Sequence, residues 1–145
     1  MRIAVGCDHR GLKPKAFVMK VIAEGGHTVQ DLGSYTEDSV DYPDIAEKVG
    51  RSVAGGQSDA GILICDTGIG MSIAANKVKG IRAALCYDTF CAERARLHNN
   101  ANILCLSGRA DEKAMRDIIT TFLATAFEGG RHQRRVEKIA ALEKS

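Results

Sequence analysis

No apolar run in this chain exceeds about six residues, far short of the ~20 that a membrane-spanning helix requires. Excess charge of one sign is also missing. The 20 Lys and Arg against 18 Asp and Glu leave a formal net charge of +2, so a global nucleic-acid footprint and a membrane-surface patch are both excluded and any basic character is local. Met1-Arg2-Ile3 runs straight into a strand pattern without a leader-like region, which places the expected site of action in the cytoplasm. Paired cysteine motifs are missing too. Cys7, Cys65, Cys86, Cys91 and Cys105 are odd in number and contain no C-x-x-C. Free thiols are therefore expected, with Cys7, Cys86 and Cys105 packed as small apolar side chains. Cys86 and Cys91 have no His or Cys at ligand spacing, so no metal is expected. Internal repeats, low-complexity stretches and linkers are absent, which leaves one domain over residues 1–145, large enough to bury roughly 70% of its unfolded surface.

What is present is alternation. Strand-like runs at residues 3–7, 28–32, 60–65, 82–86 and 102–106 are each followed by a helical pattern, at residues 12–24, 45–54, 72–78, 89–97 and 112–126. Gly25-Gly26, Gly55-Gly56, Gly80 and Gly129-Gly130 punctuate the series, and a charged amphipathic tail helix is expected over residues 131–145. Such a β/α series predicts an α/β fold, a parallel sheet covered by helices on both faces. Ligands of these sheets bind beyond the carboxyl ends of the strands. The residues that follow those ends are Asp8-His9-Arg10-Gly11, Gly33-Ser34-Tyr35 leading to Asp41-Tyr42-Pro43, the Cys65 turn, Tyr87-Asp88 and Ser107-Gly108-Arg109.

The turn Cys65-Asp66-Thr67-Gly68-Ile69-Gly70-Met71-Ser72 carries the most chemistry. A strand-to-helix turn gathers unpaired backbone N–H groups and the positive end of a helix dipole, which stabilises an oxyanion and favours thiolate at Cys65. Three phosphate-site templates fail on identity. A P-loop needs Lys and Ser/Thr where Met71-Ser72 stands. A dinucleotide fingerprint lacks its third glycine near Ile73, so no cofactor is expected. A cysteine phosphatase loop needs Arg where Met71 stands. What remains suits a transient enolate, the bland reading being a tight turn with glycines for packing.

Arg131 and Arg135 lie four apart, on one helix face, and fit a phosphate dianion; a merely solvated basic cluster is the alternative. His98, at the end of the fourth helix, reads more readily from the residues alone as a capping or dipole-complementing group than as a catalyst. Asp8 and His9 point toward the crevice, unless Asp8 simply caps the first helix.

Together these residues resemble the ribose-5-phosphate isomerase B family, which includes galactose- and allose-6-phosphate isomerases. The resemblance spans nearly the whole chain. It rests on Gly6-Cys7-Asp8-His9, Val40-Asp41-Tyr42-Pro43, residues 65–77, Gly80-Ile81-Arg82-Ala83-Ala84, His98-Asn99-Asn100-Ala101-Asn102 and Glu128-Gly129-Gly130-Arg131-His132-Gln133-Arg134-Arg135. It implies a Rossmann-like three-layer α/β/α sandwich with five parallel strands in the order 2-1-3-5-4. The implied activity is metal-independent interconversion of D-ribose 5-phosphate and D-ribulose 5-phosphate through a cis-enediolate, a step of the pentose phosphate pathway. The implied assembly is a homodimer or homotetramer whose sites are shared between subunits, with the tail helix reaching across. By position, Cys65 is the base and Thr67 assists at the substrate oxygens. Backbone groups of Gly68, Ile69, Gly70, Met71 and Ser72 hold the enediolate. His98 and Asp8 serve ring opening and binding, Tyr42 and Asn99 lie near the sugar, and His9, Arg109, Arg131 and Arg135 match phosphate-binding positions.

One position departs from the family, which commonly has glycine where this chain has Asp66. A carboxylate ~6 Å from the sulfur opposes thiolate by ~0.7 kcal/mol at water-like dielectric and ~3 kcal/mol at an effective value of 20. Asp66 either raises the thiol's pKa or caps the third helix and points away; the second is the expectation. Residue 66 sits beside the sugar, so it also bears on substrate range. The remaining rivals are isomerisation of a six-carbon aldose phosphate, non-catalytic sugar-phosphate binding, and a signalling receiver domain with Asp66 as phosphoacceptor. A binding protein has no use for Cys65 with Thr67. A receiver wants Lys where Ser107-Gly108-Arg109 stands.

Overall fold

The structure is a computed structural model that describes residues 1–144. Five strands, β1 (Arg2–Cys7), β2 (Thr28–Asp31), β3 (Ala60–Cys65), β4 (Ala83–Leu85) and β5 (Ile103–Ser107), form one sheet in the order β2-β1-β3-β5-β4. Every pairing is parallel. The helices are α1 (Leu12–Glu24), α2 (Tyr42–Ala54), α3 (Ile69–Ala75), α4 (Thr89–Asn99), α5 (Glu112–Ala124) and α6 (Arg131–Leu142).

Strand periodicity sorts the two faces. Ile62, Ile64, Leu104 and Leu106 point into a core with α1, α4 and α5. Their neighbours Leu63, Cys65, Ile103 and Cys105 point into a second core with α2 and α3. The central strand β3 is buried along its length, as a strand covered on both sides must be. The result is the expected three-layer sandwich.

Boundaries shift where local chemistry overrides periodicity. Helix α2 begins at Tyr42, ahead of the expected residue 45, because Pro43 occupies its first turn, where a missing N–H costs nothing. Helix α3 begins at Ile69 rather than 72 and ends at Ala75. Beyond it, Asn76 Nδ2 donates to the Ala83 carbonyl at 3.0 Å and Asn76 Oδ1 accepts from Ala83 N–H at 2.8 Å, which turns the chain into β4. Strand β4 is a half-buried edge of three residues. The tail helix α6 returns onto its own chain, burying His132 and Val136 and placing Glu143 on the Gly80 N–H at 2.9 Å. Its expected last residue, Ser145, lies outside the described residues.

Candidate active site

Cys65 ends β3 with its side chain on the α2–α3 face and 6% of the residue exposed. Its Sγ accepts the Gly68 N–H at 3.1 Å. Gly68 makes this turn with φ +84, and a Cβ there would stand 2.5 Å from Leu85 Cδ1 and 3.0 Å from the Leu106 carbonyl carbon. Only glycine satisfies both the left-handed backbone and the close approach. The Ile69 N–H is taken by Thr67 Oγ1 at 3.1 Å, and the Ser72 N–H by the Gly68 carbonyl at 3.1 Å. Of the amides at residues 68–72, those of Gly70 and Met71 remain without an acceptor among the described residues. The expected five-member cradle thus narrows to two open donors plus the one on sulfur.

The Tyr42 ring lies against this turn: a Cβ on Gly70 would meet Tyr42 Cε1 at 2.6 Å. Tyr87 Oη donates to the Thr67 carbonyl at 3.0 Å from the opposite side. Ser107 Oγ donates to the Asp66 carbonyl at 2.8 Å and receives the Arg109 N–H at 3.1 Å, tying the ends of β3 and β5 together.

The expectation that Asp66 caps α3 is overturned. The N-cap is Gly68, with no side-chain hydrogen bond, and the Asp66 carboxylate pairs instead with Arg109. That hydrogen bond, aided by the positive charges of Arg109 and Arg10, holds the Asp66 carboxyl below the usual range. The same pair raises the Arg109 guanidinium. A phosphate-binding candidate is therefore already engaged.

Asp8 is buried and forms a turn, its Oδ1 accepting the Arg10 N–H at 3.0 Å. It does not cap α1, whose N-cap is Gly11. His9 Nδ1 accepts the Val40 N–H at 3.3 Å, which leaves Nε2 as the protonated donor in the neutral ring. The loop carrying Val40 is pinned by a residue that sequence reading passed over. Lys15 is 5% exposed; its Nζ reaches Asp31 Oδ1 at 2.8 Å and the Ser34 carbonyl at 2.6 Å. The signal was available: Lys15, Val18 and Ile22 share the buried face of α1.

The remaining candidates lie elsewhere. Helix α4 starts beyond the carboxyl end of β4 and runs back along the sheet, so His98 and Asn99 arrive at its amino edge. There Asn102 N–H bonds the Arg82 carbonyl at 3.0 Å. Cys65 is level with Ser107, which puts it ~16 Å along the sheet from Asn102 at ~3.3 Å per residue. Arg131 and Arg135 are exposed on α6 at that same far edge. One chain brings Cys65, Thr67, Asp8, His9, Tyr42, Asp66 and Arg109 together but does not bring His98, Asn99, Arg131 or Arg135 to them.

At the far edge, the His98 ring stacks on His132, centroids 4.2 Å apart and planes 12° from parallel. Glu128 Oε2 lies 3.8 Å from His98 Nε2 and 3.6 Å from His132 Nε2. Burial, with help from the charges of His98 and Arg131, pushes the His132 ring below the ordinary histidine range. Each of these three side chains offers an atom that a metal accepts. Near-parallel rings, however, aim their lone pairs side by side rather than at one point, so the trio is poorly arranged to chelate. A cavity of about 610 Å³ is bordered by Asn99, Arg82, Ile81, Ala84 and Ile139.

All five cysteines are free. Burial pushes the Cys7 thiol up, drives Cys86 to about 12 and raises Cys105 further, consistent with packing roles.

A family model described as Ribose/Galactose Isomerase matches residues 3–139. The chain belongs to this family. Ribose-5-phosphate isomerase B of Escherichia coli is 44% identical over 143 residues, 98% of this chain and 96% of the relative. A ribose 5-phosphate isomerase structure from Thermotoga maritima superposes with a TM-score of 0.93 at 50% identity, covering 97% of each chain. The Mycoplasma genitalium enzyme, solved with bound ribulose-5-phosphate, gives 0.94 at 44% identity over 99% of this chain and 97% of that one. These two structures thus share the fold of this chain over nearly its whole length.

Proposed function

We propose that this chain is a ribose-5-phosphate isomerase, interconverting D-ribose 5-phosphate and D-ribulose 5-phosphate by moving a proton between C2 and C1. Relatives of that activity, 44–50% identical over nearly the full length, support the reaction. The observation that carries the residue allocation is the Cys65 sulfur, held by one amide beside two amides that lack acceptors.

A proton next to a carbonyl is weakly acidic, so the reaction needs a base close to carbon and donors for the enediolate oxygen. Cys65 supplies the base, Gly70 and Met71 N–H the donors, and Thr67 a hydroxyl at the substrate oxygens. Each well-aimed donor is worth ~3 kcal/mol, so two supply several powers of ten in rate. Binding energy at the distant phosphate keeps the open chain in register with the sulfur. Asp8 and His98 open the ring, and Tyr42 and Asn99 border the sugar. His9, Arg109, Arg131 and Arg135 take the phosphate.

Because these residues occupy two edges of one chain, the working site takes its halves from two copies. The surface for that contact includes the β4 edge and exposed Ile69, Ile73, Tyr87 and Phe90. A two-fold pairing presents each Cys65 half to the partner's α6 half, so a homodimer is the smallest complete enzyme. The substrate is a small sugar phosphate rather than nucleic acid. Among the described residues no helix is long and apolar enough to cross a membrane, and free thiols suit the cytoplasm.

Parallel NMR assays of ribose 5-phosphate and allose 6-phosphate in deuterated water test this reading. Faster turnover of the five-carbon sugar, with label at the exchanged carbon, is expected. Preference for the six-carbon sugar, or no turnover of either, contradicts it.

A further inference from the structure

The His98, Glu128 and His132 cluster contains two side chains that the reaction outlined above does not use. His132 is 5% exposed, and its Nε2 is buried without a hydrogen-bond partner. Its ring is not idle packing, because it forms one wall of the stack that fixes His98 at the end of α4. Glu128, more than half exposed, sets a single carboxylate oxygen against both Nε2 atoms.

Two imidazoles 4.2 Å apart resist double protonation, since two like charges at that distance repel, while a carboxylate facing both favours one charge. The surrounding charges act on the same balance. Helix α6 contributes Arg131 and Arg135, the segment before it Glu128, and α4 His98 itself. The arrangement therefore accommodates one positive charge over the pair of rings.

We infer that Glu128 and His132 are positioning residues for His98: they hold its ring and keep on it the proton that is delivered to the ring oxygen of the sugar. This rests on the assignment of ring opening to His98. As the ring opens, the bond between C1 and the ring oxygen breaks and that oxygen takes the proton from His98. The anomeric hydroxyl releases its proton to Asp8 as its electron pair forms the C1 carbonyl. The exposed Glu128 carboxylate gives the His98–His132 pair a route to a replacement proton from solvent. Enolisation at Cys65 uses none of these groups, which makes the two steps separable.

The ketose provides the separation. Ribulose 5-phosphate carries its phosphate on the hydroxyl that would close a five-membered ring, so it stays open-chain, and deuterium exchange at its C1 reports enolisation alone. Turnover of ribose 5-phosphate includes ring opening. Both are to be measured on Glu128→Gln, a surface change that leaves the core intact, and on His132→Phe, which keeps a flat ring without nitrogens. Expected for both variants is a kcat for ribose 5-phosphate lower by ~10–100-fold, at or below the low end of a full acid–base contribution because His98 itself is kept. KM and ketose exchange stay within about twofold in both.

Equal loss of both activities, or unchanged ribose 5-phosphate turnover in both variants, overturns the inference. Absence of ketose exchange in the unsubstituted enzyme instead removes the isomerase reading beneath it.

Discussion

The Arg109 guanidinium grips the Asp66 carboxylate with two hydrogen bonds, Nε to Oδ1 at 2.8 Å and Nη2 to Oδ2 at 3.2 Å. A carboxylate beside the candidate base is thereby neutralised by a cation that is proposed to take the substrate's phosphate. The pair is exposed, and such pairs are held only weakly. An Asp66→Asn variant frees Arg109, and KM for ribose 5-phosphate should fall by about 1.4- to 5-fold with kcat little changed. Steady-state kinetics check this, and a rise in KM would show that Asp66 helps to hold the sugar.

Gly68 is the tightest point of the turn. An alanine there is strained by its left-handed backbone, which costs ~1–2 kcal/mol, and collides with Leu85 and Leu106 as well. Urea unfolding of Gly68→Ala should show a loss of about 2–4 kcal/mol, together with a fall in kcat as the amide on the Cys65 sulfur shifts. Wild-type stability would mean the turn relaxes freely.

The architecture was legible because the strands are short, mostly apolar apart from β2, and bounded by glycine or a polar crevice residue, and a helix follows each in phase. Cys65, Thr67, Asp8, His9 and Tyr42 were legible for a related reason: residues after the carboxyl ends of parallel strands converge whatever the side-chain details. Pro43 hid the start of α2, since proline reads as a breaker in sequence yet fits a first turn. The partner of Asp66 was hidden differently. Arg109 lies 43 positions away, and the meeting depends on β3 and β5 being neighbours. Sequence also could not say that Thr67 and the helix's own first turn take two of the five amides. Glu128 and His132 both stand in the stretch 128–135, but only the packing of α6 on α4 brings them to His98.

If the site is composite, defects in its two halves complement each other. Cys65→Ala and His98→Asn chains, each inactive alone, should regain about a quarter of wild-type activity when refolded together in equal amounts. Half of the dimers are then mixed, and each mixed dimer carries one intact site. Absence of recovery, with mixed dimers demonstrated by mass spectrometry, would place the whole site within one chain.

The buried His132 ring, whose pKa is depressed by burial, makes stability depend on pH. In the unfolded chain it protonates near its ordinary ~6.5, while the folded protein resists until lower pH. Below ~6.5 the unfolded state thus binds more protons, and stability falls until pH passes the depressed folded value. Thermal melts from pH 8 to pH 5 should show a decline that His132→Phe makes shallower. An equal slope in both proteins would contradict this.

The central claim is that the Cys65 sulfur removes the proton from the sugar. Its most direct test is deuterium exchange at C1 of ribulose 5-phosphate by Cys65→Ala, with binding of the sugar phosphate followed by calorimetry. The account predicts exchange reduced by ~10²–10⁴-fold, the usual range for losing a general base, with the ligand still bound. Exchange within tenfold of the unsubstituted enzyme would contradict it and assign the proton transfer to another group.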